Sequence, residues 1–252
     1  MHAPQRELSG ITGELLTRLR DKRPRVHCIT NSVAQAFTAN VLLAIGAVPS
    51  MTLSEEEIGP FVASADALLV NLGTFDAERR AAVATAIQIA NGQGRPWVLD
   101  PVFIERSPPR ADYARALLAH RPRAIRLNAP ELAALADGAD AAAFAQATGA
   151  TIGVTGAQDL VTDGTRSVTI TNGHALMARV TAMGCAASAV TAAFLAIEAN
   201  AFAATAAALT AFGVAGEVAG TQAAGPGSFA PAMLDALHTL DADTLGARAR
   251  IQ

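Results

Sequence analysis

The sequence predicts an α/β fold, a mostly parallel sheet with helices packed on both faces. Short apolar runs alternate with helical patterns along the 252 residues, and no linker, low-complexity tract or internal repeat interrupts them. Residues 67–70 (ALLV) are apolar at every position, as in a strand buried on both faces rather than one with a wet side. Late in the chain, the Asp163-Gly164 pair between residues 160–162 and 167–171 reads as a hairpin turn, which makes the sheet mixed. These features predict one domain spanning residues 1–252.

Taken in order, residues 25–30 (RVHCIT) form the first expected strand. Asn31-Ser32 then caps a helix that runs to about Ile45, where Gly46 stops it. A second strand lies near 47–51, and Ser54-Glu55-Glu56-Glu57 opens a helix with acids at its positive end. After ALLV comes a helix over 76–91. Residues 97–99 (WVL) follow as a strand, 112–120 as a helix, 124–127 as a strand, 130–136 as a helix and 152–154 as a strand. The last third is helical, at about 184–198, 201–219 and 230–240. Right-handed crossovers are expected between the parallel strands, with ligands gathered beyond their carboxyl ends.

Composition narrows the function classes. An apolar share of 51% against 16% charged residues excludes a disordered chain. A net charge of −3 gives no electrostatic case for nucleic acid or an anionic membrane, and one Trp with one Tyr makes no base-stacking platform. Cys28 and Cys185 form no CxxC motif, so neither a disulfide framework nor a zinc site is indicated. His2, His27, His120, His174 and His238 are scattered, and no Ser-His-Asp triad assembles from them. Residues 1–19 mix Arg6, Glu7, Glu14 and Arg18 with apolar residues at helical spacing and hold no signal-peptide core. The apolar stretch 186–216 is broken by Glu198 and Asn200, and reads as two packed Ala-rich helices rather than a membrane span. The expected compartment is the cytoplasm.

Five segments carry chemistry. Thr181-Ala182-Met183-Gly184-Cys185 turns from an extended segment into a helix, whose first amides and dipole suit a phosphate. A cysteine there has its thiolate favoured, although a packing role for Gly184 and Cys185 explains them equally. Asp100 ends a buried strand and Glu131 follows another. Both suit magnesium, which takes one or two carboxylates plus phosphates, while Glu131 is also three residues from Asn128, the spacing of a capping box. Arg126 offers charge to phosphate, Val154-Thr155-Gly156 a hydroxyl and bare backbone to a nucleotide, and Gly225-Pro226-Gly227-Ser228-Phe229 a rigid helix start. Neither a P-loop nor a dinucleotide fingerprint is present.

In combination these segments resemble the hydroxyethylthiazole kinase family of the ribokinase-like superfamily. The matching pieces include His27-Cys28-Ile29-Thr30-Asn31, Leu69-Val70-Asn71-Leu72-Gly73-Thr74, Leu99-Asp100-Pro101-Val102, Asn128 with Glu131, Asn172-Gly173-His174, Gly184-Cys185 and Gly225-Pro226-Gly227-Ser228-Phe229. The resemblance implies a three-layer α/β/α sandwich that phosphorylates the primary alcohol of hydroxyethylthiazole with ATP and Mg²⁺, in thiamine salvage. By position it implies that Met51 and Ala182 meet the thiazole, and that Asn31, Arg126, Thr155 and Gly184 serve ATP. It assigns Asp100 and Glu131 to the magnesium end, and Cys185 to the place where most ribokinase-like enzymes carry an aspartate base. A homotrimer with pockets at its interfaces is implied too.

Three positions depart from the family pattern. Ala182-Met183 stand where Gly-Ala is usual, Leu127 replaces a Gly, and Phe103-Ile104-Glu105-Arg106 replace a glycine-rich loop. The competing expectations are a kinase for another small alcohol, an ATP-dependent dehydratase of nicotinamide hydrates, and a non-catalytic thiazole- or nucleotide-binding protein. Cys185 argues against the dehydratase, which resembles ribokinases in having an acid there.

Overall fold

A computed structural model describes residues 3–252, with side chains from Gly10 onward, so His2 and the side chains of Arg6 and Glu7 lie outside the described residues. Eight strands are present among those residues: β1 (Arg25–Ile29), β2 (Val48–Ser50), β3 (Ala67–Asn71), β4 (Trp97–Asp100), β5 (Ala124–Asn128), β6 (Thr151–Thr155), β7 (Asp159–Thr162) and β8 (Ser167–Ile170). They form one sheet in the order β2-β1-β3-β4-β5-β6-β7-β8. Strands β1 to β6 run parallel, and β7 and β8 form the antiparallel hairpin.

Period-two alternation divides the strand residues between two cores. Cys28, Leu69, Val98 and Ala124 face one side, where α1 (Ala3–Lys22), α2 (Gln35–Ile45), α8 (Met183–Leu195), α9 (Ala201–Gln222), α10 (Pro226–Thr239) and α11 (Ala242–Arg248) pack. Ile29, Leu68, Val70, Trp97 and Leu99 face the other side, covered by α3 (Ile58–Ala63), α4 (Ala77–Gly92), α5 (Pro108–Leu118), α6 (Ala129–Leu135) and α7 (Ala141–Thr148). This is the expected three-layer sandwich with a mostly parallel sheet.

The Ala-rich stretch is the middle of the first layer. Every residue of α8 from Ala186 to Leu195 is buried, and α9 packs along it. Alanine surfaces let helices approach closely, so burial here comes from tight packing more than from large side chains.

Local chemistry moves several boundaries. The acids at 55–57 lie in a turn rather than in α3, which begins at Ile58. Pro60 is the reason, since it fits a first turn but not a helix interior. Helix α5 starts at Pro108, four residues before the expected site, because proline's fixed φ suits the first helical position. Helices α7 and α11 are additions. Asp140 and Asp241 cap them through the amides of Ala143 and Thr244.

Candidate active site

Three of four neighbouring strands, β3, β4 and β6, end with a polar residue on the α8 face, and β5 carries one two residues before its end. Asn71, Asp100, Arg126 and Thr155 sit two residues beyond Leu69, Val98, Ala124 and Gly153, and so share their face. Pairing brings Asn71 level with Asp100 and Asn128 level with Thr155. The start of α8 supplies Gly184, Cys185 and Ser188 above them. The strand-end rule for open α/β sheets is therefore met by actual side chains.

Asp100 is fully buried. Its Oδ2 accepts from Asn71 Nδ2 at 2.7 Å and from Ser188 Oγ at 2.8 Å. Its Oδ1 has no hydrogen-bond partner and lies 3.9 Å from Arg126 Nη1. Burial pushes the carboxyl up to about 6, with Arg126 opposing and Glu131 adding to the rise.

Arg126 donates to Thr155 Oγ1, and its side chain is only 15% exposed. The guanidinium fits there because residue 184 is glycine. A Cβ on Gly184 would stand 2.7 Å from Arg126 Nη1. Gly184 thus leaves room for the guanidinium at the start of α8.

Asn71 joins Asp100 to the other half of the site. Its Oδ1 accepts from Gly73 N–H at 3.1 Å and Asn31 Nδ2 at 3.2 Å. Asn31 Nδ2 also donates to Cys185 Sγ at 3.3 Å, while its Oδ1 accepts from Ala34 N–H at 2.9 Å. Burial, with the Asp100 charge adding to it, pushes the Cys185 thiol up to about 11, and the two asparagines and Arg126 offset this only in part. The helix N-terminus does not make a resting thiolate.

Glu131 makes the capping box. Its Oε2 accepts from Asn128 N–H at 2.9 Å, and Asn128 Oδ1 accepts from Glu131 N–H at 2.9 Å. Its Oε1 accepts from Phe103 N–H at 2.9 Å, which pins the loop after β4. Phe103 itself is left-handed, with φ 57°. Among the described residues, no cluster of three His, Cys, Asp or Glu side chains gathers to hold a metal. Magnesium needs fewer protein ligands than that, and the partnerless Asp100 Oδ1 has the donor chemistry it takes.

A cavity of about 880 Å³ opens beside these groups, lined by Arg126, Thr155 and Gly184, with Met183, Leu209 and Phe212 as apolar walls. Asn31, Asp100, Glu131 and Cys185 do not line it. Met51, half-buried just after edge strand β2, stands apart from it. Ala182, the residue before α8, holds φ 72°. Asn71 and Ser188 were not singled out as site residues from sequence. The available signals were a polar residue closing an apolar strand, and a serine one turn into the anion-binding helix.

A family model described as the hydroxyethylthiazole kinase family matches residues 16–243. The chain is 47% identical over 239 residues to a protein of Agrobacterium fabrum named "Probable hydroxyethylthiazole kinase", covering 95% of this chain and 94% of that protein. It is 45% identical over 247 residues to the hydroxyethylthiazole kinase of Pectobacterium carotovorum, covering 91% and 94%. The solved hydroxyethylthiazole kinase of Pyrococcus horikoshii OT3 superposes with TM-score 0.92 at 37% identity, covering 96% of this chain and 98% of that one. An ADP complex of Bacillus subtilis pyridoxal kinase superposes with TM-score 0.57 at 17% identity, covering 76% and 91%, a likeness of fold alone.

Proposed function

Since the chain belongs to the hydroxyethylthiazole kinase family, we propose that it transfers the γ-phosphoryl group of ATP to the primary hydroxyl of 4-methyl-5-(2-hydroxyethyl)thiazole, in thiamine salvage. The observation that carries the reading is the set Asn71, Asp100, Arg126 and Thr155, at or near the carboxyl ends of four adjacent strands and facing the start of α8 beside the cavity.

In this reading the phosphates lie between Arg126 and the first amides of α8, whose N–H groups lack intrahelical partners. Phosphoryl transfer goes through a loose transition state, so holding the reactants in line and neutralising charge contribute most. Arg126 supplies positive charge, and Thr155 fixes its direction. Asp100 would hold Mg²⁺ through Oδ1, with Glu131 supporting from the adjacent cap. The ion, when bound, would neutralise charge on the transferred group. The Cys185 thiol, oriented by Asn31, is positioned to hydrogen-bond the substrate hydroxyl, whose proton becomes acidic late in such a transition state. Ala182 and Met51 belong to the thiazole end.

A homotrimer is part of the same reading, with the thiazole pocket completed by a neighbouring subunit. Met51 lies outside the cavity that a single chain forms, and Val33, Leu43 and Phe61 are exposed at 73%, 57% and 41% on or beside α2 and α3. A trimeric mass by light scattering is expected, and a monomer with full activity would remove the interface pocket. A cytoplasmic location goes with it. The one helix among the described residues long and apolar enough to cross a bilayer, α9, is packed inside the sandwich.

The main test is ADP release from MgATP with a panel of small alcohols. Release is expected with hydroxyethylthiazole. Turnover of nicotinamide hydrate or pyridoxal, with the thiazole inert, would overturn the reading.

A further inference from the structure

One wall of the cavity, Thr171 to His174, is held by a polar network that no strand or helix explains. Asn172 is only 7% exposed, and its side chain spends every polar atom away from the cavity. Its Nδ2 donates to Glu217 Oε2 at 3.1 Å and to Arg248 carbonyl oxygen at 2.8 Å, and its Oδ1 accepts from Arg250 N–H at 2.7 Å. Gly173 N–H donates to Glu217 Oε1 at 3.1 Å. Glu217 is the lone charged residue of α9, an otherwise apolar or small-residue helix.

Arg250 closes the network. Its guanidinium donates to both oxygens of Glu217 and, at 2.8 Å, to the Thr171 carbonyl oxygen. The segment carrying it lies along the edge of β8, where Thr169 and Gln252 exchange two backbone hydrogen bonds of 2.8 Å. A steric feature agrees independently. Residue 213 of α9 is glycine, and a Cβ there would stand 2.8 Å from the Asn172 carbonyl oxygen. The wall is therefore drawn onto α9 by a missing side chain and fixed there by a carboxylate clamped by an arginine.

We propose that Arg250 and Glu217 are positioning residues for the nucleotide, fixing the 171–174 wall of the cavity that Arg126 also lines. The proposal rests on the reading of that cavity as the ATP site. Neither residue lines the cavity or meets the reacting atoms, so their effect is on how well the wall is pre-formed. An arginine fork bridging a carboxylate and a carbonyl is not reproduced by lysine, whose single ammonium meets fewer acceptors.

Arg250→Ala is expected to raise KM for ATP about five- to tenfold, the loss of one or two charge-assisted hydrogen bonds that order the site. The kcat and the KM for the alcohol stay within about twofold, and Arg250→Lys recovers part of the loss. Glu217→Gln, which keeps shape and one acceptor, shifts KM for ATP in the same direction and provides the test should Arg250→Ala not fold. Folded variants with unchanged KM for ATP, or with equal losses in kcat and both KM values, would overturn the proposal. ATP binding by the wild-type protein, measured calorimetrically, separates the two ideas. Binding that the variants leave unchanged removes the brace alone, whereas no binding removes the nucleotide reading and the brace together.

Discussion

Asn71 donates its side-chain amide to Asp100 Oδ2 at 2.7 Å from the directly paired residue of the neighbouring strand. With Ser188 on the same oxygen, both donors leave Oδ1 as the free face of the carboxylate. A carboxyl raised to about 6 in the fold and near 3.8 unfolded binds its proton more tightly when folded. Its ionisation therefore costs stability as pH rises from about 4 to about 6, and the cost persists above that. Asp100→Asn removes the ionisation while keeping an oxygen for Asn71 and Ser188. It should be more stable than wild type at pH 7–8, by on the order of 2–3 kcal/mol at most, converging near pH 4, and it should lose turnover by 10²-fold or more. Denaturant unfolding from pH 4 to 8 alongside kcat checks both. Equal stability at every pH would mean that Asp100 carries no ionisation cost.

Glu131 makes the opposite prediction. Both its oxygens already accept backbone amides, from Asn128 and Phe103. Glu131→Gln leaves one of those buried amides facing an NH₂ group, so it should destabilise by about 1–3 kcal/mol as well as slow turnover. For a chain of this size that is a fall in Tm of roughly 2–10 °C. A variant with wild-type Tm and a specific loss of magnesium dependence would assign Glu131 to the metal alone.

Ala182 holds a left-handed backbone, φ 72°, immediately before α8. A Cβ disfavours that conformation by about 1–2 kcal/mol, and glycine returns part of the gain as unfolded-state entropy. Ala182→Gly should raise Tm by a few degrees. With the methyl gone from the proposed thiazole end, KM for the alcohol is expected to fall. A lower Tm would show that the turn is relaxed around alanine.

The fold was legible because its signals are periodic and local. ALLV reads as a doubly buried strand whatever surrounds it, and Asp163-Gly164 between two β runs reads as a hairpin. Helix α7 escaped because AAAFAQAT is short and Phe144 is its one large apolar side chain, and α11 because Leu245 is its one buried side chain. The site was legible only residue by residue. Sequence placed Asp100, Arg126 and Thr155 at strand ends, but parity across four strands is what sets them on one face. Asn71 and Ser188 matter through Asp100, a partner 29 and 88 positions away, and no local pattern carries that pairing. The resemblance to a known family supplied the roles, and the geometry alters how Cys185 has to be read.

Cys185 is held as a thiol, pushed up to about 11 by burial and the Asp100 charge. At pH 7–8 its thiolate fraction is on the order of 10⁻³ or less, so a resting-state base would forfeit most of the 10²–10⁴-fold that general-base help typically gives. Its Sγ instead accepts from Asn31, leaving its proton free to orient toward a substrate oxygen. Cys185→Ala should therefore retain kcat within about tenfold and share the wild-type pH profile, which falls only towards pH 6 as Asp100 takes up its proton and is level from about pH 7 to 9. Cys185→Asp should stay active and gain a pH-dependent limb. A carboxylate there would share the site with Asp100, and two neighbouring acids separate their pKa values so that one titrates high. Its kcat should rise with pH through the neutral range as that acid ionises and becomes a competent base. The check is kcat and KM for all three proteins across pH 6–9. An alanine variant losing 10²-fold or more, against a wild-type kcat that climbs tenfold per pH unit, would make the thiolate the base after all.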